Sequence, residues 1–141
     1  MMKSRNKQRG QAMVESALIL LIFVPVLLGI ADFGQILYFH GSLTERTRAA
    51  SRYGAVHTYT DGLAIRNVAV YNNPSPTADT KPLIPFLTTA LVSATLDDPG
   101  TDSARITVTI TNYPFNFISG FMSHSTWYKT VITTEPYEIV N

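Results

Sequence analysis

From Ala12 to Phe33 the chain is apolar at almost every position, with only Glu15, Ser16 and Asp32 as interruptions. Ala17 to Ala31 carries no charge at all. About twenty such residues in a helix rise far enough, at ~1.5 Å each, to cross a hydrocarbon layer of roughly 30 Å. A chain of this length has no core able to surround a helix that is apolar on every side, so the pattern predicts a membrane span. Beyond the span the pattern changes period. Ile36, Phe39, Leu43, Thr47, Ala50 and Tyr53 recur at steps of three and four, while Arg46, Arg48 and Arg52 fall on other faces. The span therefore continues outward as an amphipathic helix. A single rod from Gln11 to Val56 is roughly 65–70 Å long, with Gly34 and Gly41 as its weak points.

Shorter periods follow. Asp61 is placed to cap a helix from Gly62 to Tyr71, and Asn73-Pro74-Ser75-Pro76 and Lys81-Pro82 mark a loop. Leu91 to Leu96 puts Val92, Ala94 and Leu96 on one face. Arg105 to Thr111 alternates strictly, with Ile106, Val108 and Ile110 inward. Trp127 to Thr134 is rich in aromatic and β-branched residues, which predicts a third strand. The expected fold class is α+β: a long N-terminal helix, half transmembrane and half amphipathic, carrying a small antiparallel β-sheet head. The expected divisions are 1–10 (basic leader), 11–34 (span), 35–58 (helix extension) and 59–141 (head).

Charge adds direction to this picture. Net charge is +1, but Lys3, Arg5, Lys7 and Arg9 stand before the span with no acidic residue among them. The remaining seven Lys and Arg face ten Asp and Glu, a formal −3. Basic residues flanking a span stay in the cytoplasm, so the N-terminus is expected inside and the head outside. The mild acidity of the body gives no reason to expect nucleic-acid binding. The absence of cysteine excludes disulfides, thiol catalysis and cysteine-ligated zinc.

Glu15 is the costly residue of the span. A carboxylate there is unfavourable by up to roughly 2.5–3.5 kcal/mol at mid-bilayer and less near the surface, so it calls for a partner. The run from Arg9 through Gly10 and Gln11 to Glu15, then straight into the apolar stretch, resembles a type IV prepilin processing site. The resemblance implies cleavage between Gly10 and Gln11 by a prepilin peptidase, with Glu15 as the fifth mature residue. The new amine at Gln11 would then be neutralised by a neighbour's Glu15 in an apolar filament core. After the span, Gly29-Ile30-Ala31-Asp32-Phe33-Gly34, followed by a helix with Arg48 and Arg52, is similar to the TadE/TadG family of the Tad (tight adherence, type IVc) pilus system. Three features depart from that pattern: Ser16, where an aromatic residue is common, Pro25, which comes later in the span than the family's proline, and Glu135, which lacks the basic neighbour common there.

The resemblance implies a pilin-like fold and a structural subunit, either a minor pseudopilin or a pilus subunit. Its partners would be prepilin peptidase, other pilin or pseudopilin subunits, the pilus assembly platform, the lipid bilayer and possibly copies of itself in a filament. Its expected location is the bacterial inner membrane, and an extracellular pilus after assembly. Two other readings stay open: an uncleaved bitopic adaptor, and a secreted binding domain cut after Ala31, where Gly29-Ile30-Ala31 fits a small-residue cleavage site. No enzyme and no cofactor are expected, because no nucleophile–base grouping or phosphate-cradling loop is present. Asp97, Asp98 and Asp102 are a weak calcium candidate without the spacing of an EF-hand, and read as a polar turn. His40, His57 and His124 lack metal-ligand spacing. Tyr113, Phe115, Phe117, Ile118, Phe121 and Met122 form an apolar connection, expected to pack on the helix as a lid, with an exposed contact patch as the alternative. Asp32 is expected to mark the outer membrane boundary, with a buried ion pair to a neighbouring subunit as the sharper alternative.

Overall fold

In the computed structural model, described for residues 5–115, 117–119 and 130–138 (residues 5–9 by backbone alone), one helix dominates. Helix α1 runs unbroken over Arg5–Ala55. It passes through Gly34 and Gly41, the expected weak points, and through Pro25. Neither glycine opens a break, since each leaves its own amide in the ladder and adds only about 1 kcal/mol relative to alanine. The helix also extends back into the basic leader, with no turn at Gly10.

Helix α2 covers Leu63–Tyr71, one residue later than the sequence pattern indicates. Gly62 occupies the left-handed region at φ 71°, and the Asp61 carboxylate accepts the Leu63 N–H at 2.9 Å. Asp61 thus satisfies one of the free amides of the first turn, from one position further out than a standard cap. A 3-10 turn at Thr89–Leu91 leads into strand β1, Val92–Asp97. Strand β2 is Arg105–Ile110 and β3 is Val131–Pro136.

The sheet has the order β1-β2-β3 and is antiparallel throughout, with Leu96 opposite Ile106 and Ile106 opposite Glu135. The third strand lies later than expected, ending at Pro136 instead of Thr134. Residues 127–129 of the expected strand lie outside the described residues. Register explains the late end: Arg105, the first residue of β2, pairs with Pro136, so β3 runs as far as β2 can partner it. Proline is tolerated there because it closes an edge strand.

One face of this sheet packs on the outer half of α1. Ile106, Val108 and Ile110 are buried there, together with Leu43, Ala50, Ile65, Val68 and Val70. The helix presents small residues to the sheet. Ala50 and Ser51 are fully buried, and a Cβ on Gly54 would stand 2.7 Å from Ile65 Cδ1 and 3.0 Å from Ile106 Cγ2. Thr47, also fully buried, has both of its hydroxyl partners at hand. It donates to the Thr44 carbonyl at 2.9 Å and lies 2.8 Å from the Thr133 hydroxyl, which must then supply the second proton. The end of α1 is tied down as well, because the Glu138 N–H donates to the Ala55 carbonyl at 3.0 Å.

Gly54→Val should lower the stability of the full chain in detergent by about 1–3 kcal/mol through overpacking between Ile65 and Ile106. Thermal unfolding followed by circular dichroism reads this. Gly41→Ala, at a glycine with open space around it, should leave the transition unchanged or slightly raised.

Candidate functional site

The first half of α1 is bare. The helix is long and apolar enough to cross a membrane, and its most apolar stretch makes no burying contact with the rest of the chain. Leu18 to Leu27 present exposed aliphatic and aromatic side chains all round the axis. Such a surface in water would far exceed the apolar patch a soluble monomer tolerates, so its solvent is hydrocarbon or another helix.

Gly10 and Gln11 lie on exposed helix, and Glu15 is exposed one turn further on. Gly10, Gly29, Gly34 and Gly41 have nothing within 4 Å of a would-be Cβ, in contrast to Gly54. The chain's own packing therefore gives no reason for glycine at those four positions. Arg48 and Arg52 are exposed on the outer half of α1. Arg46, on a neighbouring face, donates to Asn72 Oδ1 at 3.2 Å and links α1 to the end of α2. Lys3 lies outside the described residues, as do the side chains of Arg5, Lys7 and Arg9.

Asp32 differs from these. It is 7 % exposed, although Phe33 and Gly34 beside it are exposed. What covers it is the chain after β2. Asn112, in the left-handed region at φ 56°, ends the strand and turns the backbone back along α1. A ladder of rings then descends the helix. Tyr113 and Phe115 are buried against Phe39, with centroids at 5.9 and 5.7 Å, and Phe117 meets Phe115 edge-on at 5.1 Å. The Tyr113 hydroxyl donates to the Pro85 carbonyl at 2.8 Å, and burial pushes its pKa up. At the foot of the ladder the backbone N–H groups of Ile118 and Ser119 both donate to Asp32 Oδ1, at 2.8 and 3.2 Å. One turn above, Gln35 Oε1 is buried with no partner among the described residues.

Whatever level of the membrane Asp32 marks, its carboxylate is met among the described residues by backbone amides and not by a basic side chain. It is a latch holding the apolar connection to the helix. Sequence reasoning missed this because backbone donors leave no trace in residue type, and 86 residues separate the partners. The one available signal was the coincidence of an isolated acid at the end of the span with an uncharged aromatic run that needed a surface. The lid reading of that connection holds for Tyr113 and Phe115. Ile118, at 65 % exposed, faces outward, and Phe121 and Met122 lie outside the described residues.

The three residues of the weak calcium candidate lie at the end of β1 and in the turn that follows it. Asp97 Oδ2 accepts the Thr107 hydroxyl at 2.7 Å, and the Asp98 carbonyl accepts the Thr101 hydroxyl at 2.9 Å. Asp97, Asp98 and Asp102 are all exposed. Among the described residues, no three His, Asp or Glu side chains come together to hold a metal ion. His57 stacks on Tyr53 at 3.9 Å and donates to its carbonyl, and His40 lines an apolar groove with Leu43 and Phe115. His124 lies outside the described residues.

Residues 10–52 match the family model described as TadE-like protein. Over those residues the chain is similar to TadE-like proteins. The matched stretch runs from Gly10 to Arg52 and lies wholly on α1. The TadE-like segment thus takes in the span, the Asp32 latch point and the helix face that carries the sheet. The likeness stops at Arg52, and the head lies beyond it. No curated protein and no solved structure matches the chain.

Asp32→Ala should release the strap by leaving two amides without an acceptor, a loss of about 1–3 kcal/mol for each group left unsatisfied. Hydrogen exchange at Ile118 and Ser119 should accelerate in Asp32→Ala, while Asp32→Asn, which retains one acceptor oxygen, keeps much of the protection. The raised pKa of Tyr113 sets a second expectation. Stabilisation from its buried neutral phenol is complete below the unfolded value of about 10 and is lost as pH rises from there through the folded value. A pH series of melting temperatures should fall above that point, and Tyr113→Phe should remove that part of the fall.

Proposed function

We propose that this chain is a structural subunit of a Tad-type pilus, processed after Gly10 and held through its N-terminal helix, with the head on the outer side of the bacterial inner membrane. The observation that carries the proposal is the TadE-like match at residues 10–52 on a helix whose apolar half is left uncovered by the described residues. A helix bare on all sides is a component awaiting its surroundings. In the membrane these are lipid tails. In a filament they are the same helices of neighbouring subunits, which can close on the exposed glycines.

The chemistry of processing supports the same role. Glycine within a helix costs about 0.5–1 kcal/mol relative to alanine, and at Gly10 no contact in the chain repays it. A peptidase that reads an extended backbone has a use for it there. Cleavage would create an ammonium group at Gln11, four positions before an exposed carboxylate at Glu15. In an apolar filament core each charge would be prohibitive alone, and pairing between subunits offsets much of that cost. The head, with three strands and a second helix, suits a minor pseudopilin that presents a surface at the filament or its base. This role is structural, without a catalytic step.

The mass of the N-terminal peptide, from membrane and sheared extracellular fractions of the native host, tests the reading. A start at Gln11 is expected. Gly10→Val should accumulate the uncut chain, and Glu15→Ala should be cut but absent from the sheared fraction. A start at Asp32 would replace the reading with a secreted domain, and an intact Met1 with a bitopic adaptor.

A further inference from the structure

The strap that latches onto Asp32 reaches the level of the membrane. If the apolar run from Ala12 to Ala31 fills a hydrocarbon layer of about 30 Å, Asp32 stands at its outer edge. Ile118 and Ser119 are held to that same level by their bonds to the Asp32 carboxylate. Phe117 and Ser119 also line a hollow of about 400 Å³ together with Pro25, Gly29, Phe33 and Ile36. Pro25 lies seven residues before Asp32, about 10 Å deeper along the axis. We propose that the foot of the strap, Phe117 to Ser119, is immersed in the outer leaflet at the lipid boundary, so that the head is seated in the bilayer surface and not held above it. The inference rests on the reading of α1 as a membrane span.

Three observations point to lipid as the occupant. The exposed apolar surface at this level, Phe33 at 61 % and Ile118 at 65 %, is continuous with the bare apolar face of α1. Charge is absent around it: between Glu15 and Glu45 the helix carries only Asp32, and residues 106–128 contain no Asp, Glu, Lys or Arg. The charged oxygen and the strap's amides are paired with each other, Asp32 Oδ1 accepting from the backbone N–H groups of Ile118 and Ser119. At a hydrocarbon boundary unpaired carboxylates and amides are costly, so a strap entering it must bring its own partners. In water the same carboxylate would be solvated without help, and Ile118 and Phe33 would gain nothing from their position.

The chain has no cysteine, so single substitutions give clean labels. The experiment places a nitroxide on Ile118→Cys or Phe33→Cys in the full chain, reconstituted at low density in phosphatidylethanolamine–phosphatidylglycerol vesicles. Collision rates with oxygen, which partitions into lipid, are compared with those of a water-soluble nickel chelate. Leu27→Cys serves as the reference within the span and Leu63→Cys as the reference on the head. Oxygen collisions exceeding nickel collisions several-fold at Ile118 and Phe33, as at Leu27 and opposite to Leu63, are the expected result. Nickel-favoured collisions at Ile118 with Leu27 still oxygen-favoured would overturn the immersion and leave the span intact. Little collision with either reagent at Ile118 would also overturn it, and would assign the surface to a protein neighbour. Nickel-favoured collisions at Leu27 itself would overturn the membrane reading beneath both.

Discussion

A polypeptide crossing hydrocarbon must satisfy every backbone amide within itself, and α1 meets that requirement by staying helical for 51 residues. The rest of the structure hangs on this continuity. Because the helix does not stop at the end of the apolar run, the element long and apolar enough to cross a membrane is also the element on which the head is built. The two halves differ in how the side chains are distributed. Up to Asp32 apolar groups surround the axis, and beyond it they narrow to the face that runs from Ile36 and Phe39 through Leu43 and Thr47 to Ala50. No hinge separates the two, so motion of the membrane half is transmitted directly to the head.

The head is fitted to that helix by shape more than by polar bonds. Thr47, Ala50, Ser51 and Gly54 make a shallow channel, which lets Ile106 and Ile65 approach the helix backbone closely. Larger side chains on the same face would lift the sheet and open the core behind it. Within this apolar contact one buried polar pair, Thr47 with Thr133, stands opposite β3 and favours one register of strand against helix. At the other end of the head, Asp32 fixes the strap. The head is thus tied to α1 near Ala55 and again at Asp32, 23 residues apart on one rigid rod. A small domain with two such attachments cannot swing freely about its own helix.

The TadE-like match and the fold divide the chain differently. The match ends at Arg52, while the structure makes residues 36–55 part of the head's core.

The sequence by itself determined most of the secondary structure and the membrane segment. Helix period, strand alternation and the length of an apolar run are properties of consecutive residues, and they are legible without knowing what lies opposite. Arg105 to Ile110 and the face of Ile36 to Tyr53 were readable for that reason. The start of α2 and the end of β3 were read less closely, since a turn at Gly62 and the pairing of Arg105 with Pro136 fix them. The role of Asp32 was decided only by tertiary structure. Its partners are main-chain amides brought from 86 residues away by a turn at Asn112 and a ladder of rings, and any residue type carries such amides. Likewise Gly54, one of several glycines on the helix, is distinguished from Gly34 and Gly41 by Ile65 of α2 and Ile106 of the sheet, which fold against it. Local order is written in side-chain period, whereas closure of a chain on itself depends on distances that no short window of sequence contains.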